Sequence, residues 1–208
     1  MYPTPTEHVQ TVDSVMLYIV VISAILLIGI TATMIIFVFK YHRKKGHKPV
    51  DIPSNIVLET VWIVIPTLLV LSMFYYGYEG FKEIRDVPDD AFTVNVTARM
   101  WQWEFKYENG KTTDTLYVPL GKPILLKMES LDVNHSLYIP SFRIKEDVIA
   151  GQVNHLYFNP DVVGSYIITC AEYCGLKHSM MYSKVVVMDD DKFYAWYNAD
   201  NPKLNLAQ

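Results

Sequence analysis

Twelve residues near the end of the chain, Cys170-Ala-Glu172-Tyr-Cys174-Gly-Leu-Lys-His178-Ser-Met-Met181, gather two thiols, an imidazole and two adjacent thioethers in one short stretch. These are the only two cysteines, and their positions are four apart, with three residues between them. Alone, the pair reads equally well as a small disulfide loop in an oxidising compartment or as a metal site. His178, four beyond Cys174, and Met181, three beyond His178, move the balance. Zinc in a structural site is satisfied by Cys and His, whereas a thioether is a soft ligand that favours copper.

A mononuclear blue-copper site uses one Cys, two His and a weak axial Met. The extra thiol here suits two bridged copper ions, and each ion then needs its own nitrogen ligand. The second histidine must come from elsewhere, and His135 and His155 are the choices. His135 is preferred because Asp132-Val-Asn-His135-Ser136 surrounds it with polar groups able to orient an imidazole, whereas His155 alternates with apolar residues.

Such a site needs a rigid scaffold, and the rest of the chain supplies its outline. Its 208 residues are 51% hydrophobic and 13% aromatic, which excludes a disordered polymer. Residues 15–39 form a run of 25 without a charged side chain, and residues 60–78 form another of 19. Each can cross a bilayer core of about 30 Å as a helix, so two spans are expected, over about 15–39 and 57–79. Pro53-Ser-Asn55 supplies start signals for the second, Pro66 is expected to bend it, and Tyr75, Tyr76 and Tyr78 suit an interfacial belt.

The segment between the spans, residues 40–48, carries five Lys/Arg, while the fourteen residues before the first span carry none. The positive-inside rule puts this loop in the cytoplasm and both chain ends outside. The first span lacks a basic n-region and its apolar run is too long for a signal peptide, so it reads as an uncleaved anchor. A bacterial inner membrane is the expected location, with the mitochondrial inner membrane as the alternative.

From residue 81 onward there are 17 Asp/Glu and 13 Lys/Arg, so the outer part carries the whole formal excess of -4. Nucleic acid is not an expected partner, and a mildly acidic face suits a basic soluble protein. Residues 79–91 read as a polar linker. Beyond it the pattern alternates, most clearly in Trp101-Gln-Trp103-Glu-Phe105-Lys-Tyr107, where four aromatics share one strand face. Further strands are expected at 93–97, 123–129, 135–139, 152–158, 165–170 and 183–188, with turn signals at Asn109-Gly110, Gly121-Lys-Pro123 and Asn159-Pro160. An antiparallel β-sandwich follows, with a short helix from Asp191 and a frayed tail after Asn201.

Leu58-Glu59-Thr-Val-Trp62, the Trp101 to Tyr107 strand, Asp132-Val-Asn-His135-Ser136 and the 170–181 loop together resemble cytochrome c oxidase subunit II, in that family's order and over roughly residues 15–196. The resemblance implies a membrane-anchored all-β protein: a two-transmembrane-helix hairpin with its flanking segments (residues 1–90), followed by a cupredoxin-like Greek-key β-sandwich (91–208) with a dinuclear copper centre, CuA. Cys170 and Cys174 would bridge the ions, His135 and His178 would each bind one, Met181 would ligate one and the backbone carbonyl of Glu172 the other. The Glu172 carboxylate would help hold a magnesium ion at the boundary with subunit I, near which Arg143-Ile-Lys145-Glu-Asp147 would also lie. Trp101 resembles the tryptophan through which cytochrome c delivers electrons, although Met100 stands where the family commonly has Gln. Read bottom-up, Trp101 is otherwise a packed strand aromatic and Glu59 an interfacial carboxylate at a helix start. By resemblance Glu59 matches the entrance of the K proton pathway.

The implied function is electron transfer from cytochrome c or a similar donor to haem in subunit I, where oxygen reduction is coupled to proton translocation, with other oxidase subunits and the lipid bilayer as partners. No Cys-x-x-Cys-His motif occurs, so the donor is expected to be a separate molecule. The alternatives are the CuA subunit of a nitric oxide reductase and a membrane-anchored copper chaperone. The chaperone has no need of His178 and Met181.

Overall fold

A computed structural model of the chain describes residues 5–46, 48 and 50–199. The tail read as frayed lies outside the described residues. The chain divides into two compact units: Asp13–Gly80 is one, and the segment up to Val12 together with Phe81 onward is the other.

The first unit is the helical hairpin. Helix α1 spans Glu7–Lys40 and α2 spans Ile56–Arg85. Among the described residues these two are long and apolar enough to cross a membrane. Their Leu, Ile, Val and Phe side chains are exposed all round rather than along one stripe, which is what a lipid solvent allows and water does not. Within the hairpin, Tyr18 Oη and Ser72 Oγ are 2.6 Å apart, and the Tyr18 and Tyr76 rings meet edge to face. Asn55 starts α2, its side-chain oxygen accepting from the amides of Val57 and Leu58.

Both helices outrun the apolar runs. The expected linker from residue 79 is helical as far as Arg85, because Glu79, Lys82, Glu83 and Arg85 are good helix formers with cations in the last turn. Pro88 follows soon after the helix ends.

The second unit is a two-sheet sandwich built from β1 Phe92–Arg99, β2 Gln102–Tyr107, β3 Thr112–Thr113, β4 Leu116–Pro119, β5 Ile124–Ser130, β6 His135–Ile139, β7 Ile144–Val148, β8 Asn154–Phe158, β9 Gly164–Cys170 and β10 Tyr182–Met188, with helix α3 over Asp190–Asn198. One sheet has the order β3-β2-β1-β5-β8 and the other β4-β10-β9-β6-β7. Period-two alternation explains the core: Val94, Val96, Phe105, Leu126, Met128, Leu137, Ile168 and Val185 are buried between the sheets.

The sandwich is not purely antiparallel, since β1 pairs β5 and β10 pairs β4 in parallel. The chain leaves the first sheet after β3, contributes β4 to the second, and returns as β5 in the direction of β1. Strands β3, β4 and β7 are additional to those expected. Trp101 belongs to the β1–β2 turn rather than to the strand face that holds Trp103, Phe105 and Tyr107. At the start of the chain the Asp161 amide donates to the Pro5 carbonyl, and Thr6 bridges Pro160, so the N-terminal segment packs on the sandwich.

Candidate metal centre

Three loops meet at one end of the sandwich, and strand pairing brings them there. Parallel β1 and β5 finish side by side, Ala98 opposite Ser130, so the Met100–Trp101 turn adjoins the loop leading to His135. Antiparallel β6 and β9 set Leu137 opposite Cys170, which brings the first residues of β6 to the last of β9. The Ala171 amide donates to the Ser136 carbonyl and the Cys170 amide to the Met181 carbonyl, closing the third loop over the same spot.

The side chains follow from this backbone. His135, Cys170, Cys174 and Met181 are buried, and both cysteines are free. Their sulfurs lie 3.7 Å apart, well beyond the roughly 2.05 Å of a disulfide. His135 Nδ1 is 3.9 Å from Cys170 Sγ, and the Cys170 thiol donates to the Glu172 carbonyl at 3.2 Å. On the other sulfur, His178 Nδ1 is 3.5 Å and Met181 Sδ 3.9 Å from Cys174 Sγ. Each thiol thus has one imidazole and one further donor of its own.

Ligand atoms of His135, Cys170 and Cys174 lie within 4.8 Å of one another, while His178 joins this group through Cys174. His155, the other histidine weighed, is exposed on β8 in the opposite sheet. The donor set is soft and mixed sulfur and nitrogen, the combination that copper prefers.

The backing of His135 is a feature that spacing alone does not disclose. Its Nε2 is 2.8 Å from Asp132 Oδ1, while Oδ2 of the same carboxylate accepts from the Met100 amide at 2.7 Å. Burial opposes ionisation of Asp132, but hydrogen bonds from the Met100 amide, His135 and the Val133 amide outweigh it and hold its pKa below the usual carboxylate value. The Trp103 and His135 rings pack edge to face at 6.2 Å. An Asp three residues before a ligand-type His is the only sequence signal for this arrangement.

Trp101 is half-buried, and its indole N–H donates to the Cys174 carbonyl at 3.1 Å. Gly175, next in the chain, has φ +109°, a conformation L side chains rarely adopt, and lies against the Trp101 ring. The exposed Glu172 carboxylate meets Lys145 Nζ at 3.3 Å, and Lys145 also meets Asp147 at 3.2 Å. Glu59 occupies the first turn of α2, in the helical unit.

Burial, reinforced by hydrogen bonding to and the charge of Cys170, pushes the Cys174 thiol up from its ordinary 9.0 to about 12. A raised thiol pKa stabilises the fold fully below the unfolded value and loses that contribution as pH climbs toward the folded one. The denaturation midpoint of the metal-free chain should therefore fall between about pH 9 and pH 12, and less steeply in Cys174→Ser. Equal slopes in the two proteins would exclude this thiol as the cause. A metal that takes thiolates must also displace these protons, so metal uptake should quicken with pH.

Residues 69–189 match the family described as cytochrome C oxidase subunit II, periplasmic domain, and residues 3–79 match its transmembrane domain. The cytochrome c oxidase subunit 2 of Alkalihalophilus pseudofirmus is 30% identical over 191 residues, covering 87% of this chain and 56% of that protein. The alternative cytochrome c oxidase subunit 2 of Bradyrhizobium diazoefficiens is 30% identical over 192 residues, 76% of this chain and 69% of the relative. The chain thus spans little more than half the length of the first of these. Among solved structures, the periplasmic domain of subunit II of cytochrome oxidase (CoxB) of Bradyrhizobium japonicum superposes with a TM-score of 0.53 at 27% identity, covering 57% of this chain and 99% of that one.

Proposed function

The chain belongs to the cytochrome c oxidase subunit II family, and from that premise we propose that it is the electron-receiving subunit of a respiratory haem-copper oxidase, anchored in a bacterial inner membrane with its sandwich on the periplasmic side. The observation that carries this reading is the doubled donor set: two thiols 3.7 Å apart, each with its own imidazole. Cys170, Cys174, His135, His178, Met181 and the Glu172 carbonyl, all within the 91–208 domain, would hold two copper ions. When bound, such a centre would supply reversible one-electron transfer with little rearrangement of its ligands.

What the chain contributes is rigidity, exclusion of water and a route. Buried His135, Cys170, Cys174 and Met181 keep solvent from the donors, and the Asp132 carboxylate holds His135 Nε2 so that Nδ1 faces the thiols. Trp101 would receive the electron from cytochrome c or a similar carrier, its indole already bonded to the Cys174 carbonyl. Oxygen reduction and its coupling to proton translocation belong to haem and copper in subunit I. The Glu172 carboxylate, which pairs with Lys145 at 3.3 Å, would contribute to a magnesium site at that boundary.

Asp132→Asn keeps the shape but removes the charge behind His135. Copper affinity should fall about 10- to 100-fold with little loss of fold, measured by competition with a copper chelator and by thermal melting. Unchanged affinity would remove Asp132 from the support of the site. Glu59→Gln in the assembled oxidase should slow proton uptake while copper reduction by cytochrome c proceeds normally, both followed by stopped-flow optics. Unaltered turnover would remove Glu59 from the proton route.

The function itself is tested by purifying the membrane complex through a tag on this chain. A haem-containing large subunit should accompany it, and the complex should consume oxygen with reduced cytochrome c. A tagged chain that comes out alone, or a complex without oxygen uptake, would contradict the proposal.

A further inference from the structure

The segment that joins the two long helices carries charge that the rest of the chain does not answer. Lys40, Arg43, Lys44, Lys45 and Lys48 are all exposed, and among the described residues none of them forms an ion pair. Asp51 is the sole carboxylate between residues 14 and 58. The first cation, Lys40, is the last residue of α1, and Arg43–Lys45 follow at once as a 3-10 turn. Backbone groups close that turn: the Lys45 amide donates to the His42 carbonyl at 2.9 Å and the Gly46 amide to the Arg43 carbonyl at 3.1 Å. His42 Nδ1 accepts from the Lys44 amide at 3.2 Å, and Gly46 takes φ +70°, where glycine is the default residue. The turn thus holds its own shape and leaves three consecutive cationic side chains to an outside partner.

Apolar groups accompany these charges. Val50 is 79% exposed and Ile52 88%, the highest value of any large hydrophobic side chain among the described residues. Neither lies in a helix or a strand, so neither belongs to the lipid-facing surface of a span. Uncompensated cations alone satisfy the positive-inside rule and need nothing beyond water and counterions. Two bare apolar side chains in the same segment call for an apolar phase as well. Anionic oxygens and acyl chains occur side by side at the headgroup boundary of a bilayer that contains acidic lipid.

We infer that Arg43, Lys44, Lys45, Val50 and Ile52 form a binding surface for anionic phospholipid of the cytoplasmic leaflet, the inference resting on the membrane orientation proposed above. Headgroup phosphates pair with the three cations of the turn. Lys40 reaches the same level along its aliphatic stem, and Val50 and Ile52 enter the acyl boundary beneath. A zwitterionic lipid carries its own cation beside the phosphate, so it covers Val50 and Ile52 but leaves the charges unanswered. Soluble phosphate does the reverse, and anionic phospholipid does both. The segment ends at Asn55, the cap of α2, so lipid held here anchors the start of the helix that carries Glu59 in its first turn.

The test uses the complete oxidase in lipid nanodiscs doped with a phosphatidylglycerol or a phosphatidylcholine that carries a photoreactive diazirine high on one acyl chain. After photolysis, mass spectrometry counts adducts on the peptide containing Val50 and Ile52. The wild type should give about fivefold more adduct from phosphatidylglycerol at roughly 20 mM salt, a preference that narrows toward roughly 500 mM as the charges are screened. Arg43→Gln, Lys44→Gln and Lys45→Gln together should bring the ratio close to one, with the content of subunit I and the copper signal unchanged. Ile52→Ser should lower the yield from both lipids about threefold. Equal wild-type yields from the two lipids would overturn the inference, as would an undiminished preference in the triple variant. Inorganic phosphate that displaces phosphatidylglycerol beyond the effect of chloride at equal ionic strength would overturn it as well, by assigning the cations to a soluble anion. Loss of subunit I from Ile52→Ser would do the same, by assigning the apolar pair to the oxidase itself. Trypsin added to intact spheroplasts tests the orientation separately. Cleavage in this segment would overturn the orientation and the lipid site together, whereas a protected segment without lipid preference would overturn the lipid site alone.

Discussion

Cys174→Ser is expected to strip the chain of its metal centre while leaving the sandwich folded. Three donors converge on this sulfur: Cys170 Sγ at 3.7 Å, His178 Nδ1 at 3.5 Å and Met181 Sδ at 3.9 Å. A serine hydroxyl is a hard, short donor that does not ionise near neutral pH, so it replaces neither the reach nor the softness of a thiolate. Metal analysis should find fewer than two copper ions per chain. Carrier-driven oxygen uptake should fall about 10³-fold, equivalent to roughly 4 kcal/mol in the barrier. The melting temperature of the metal-free protein should move by only a few degrees, since the exchange is small in volume. Full copper content with normal turnover would remove Cys174 from the site.

Trp101→Phe is expected to separate delivery from binding. Phenylalanine keeps an aromatic ring in the β1–β2 turn but has no N–H to donate to the Cys174 carbonyl, where the indole now bonds at 3.1 Å. Copper content should be unchanged, because Trp101 offers no ligand atom. Carrier-driven turnover should fall about 10²-fold, or roughly 2.7 kcal/mol, while reduction by a small diffusible mediator persists. Equal losses with both reductants would instead mean that Trp101 acts by supporting the 171–181 loop.

The spacing of Cys170, Cys174, His178 and Met181 was readable as chemistry because all four share one loop closed by β9 and β10. Asp132 was readable only as a polar neighbour of His135. Its second bond, to the Met100 amide, exists because parallel β1 and β5 end together, and strand pairing is not written in local residue types.

The fold followed the same division. Alternation marked β2, where Trp103, Phe105 and Tyr107 face the core, but it also drew Trp101 into the strand although the chain turns there. Strand β7 reads as a charge run, Lys145-Glu-Asp147, because its pairing with β6 is a backbone matter that leaves those side chains half-exposed to exposed. The hairpin was legible as two apolar runs. The helices extend past them, since helix propensity continues where lipid solubility stops.

The most direct measurement is the electron paramagnetic resonance spectrum of the copper-loaded full chain in detergent, with metal content determined on the same sample. Two copper ions per chain and one unpaired electron split by both nuclei are expected. A single-copper hyperfine pattern, or stoichiometric zinc with no uptake of copper, would contradict a two-copper centre.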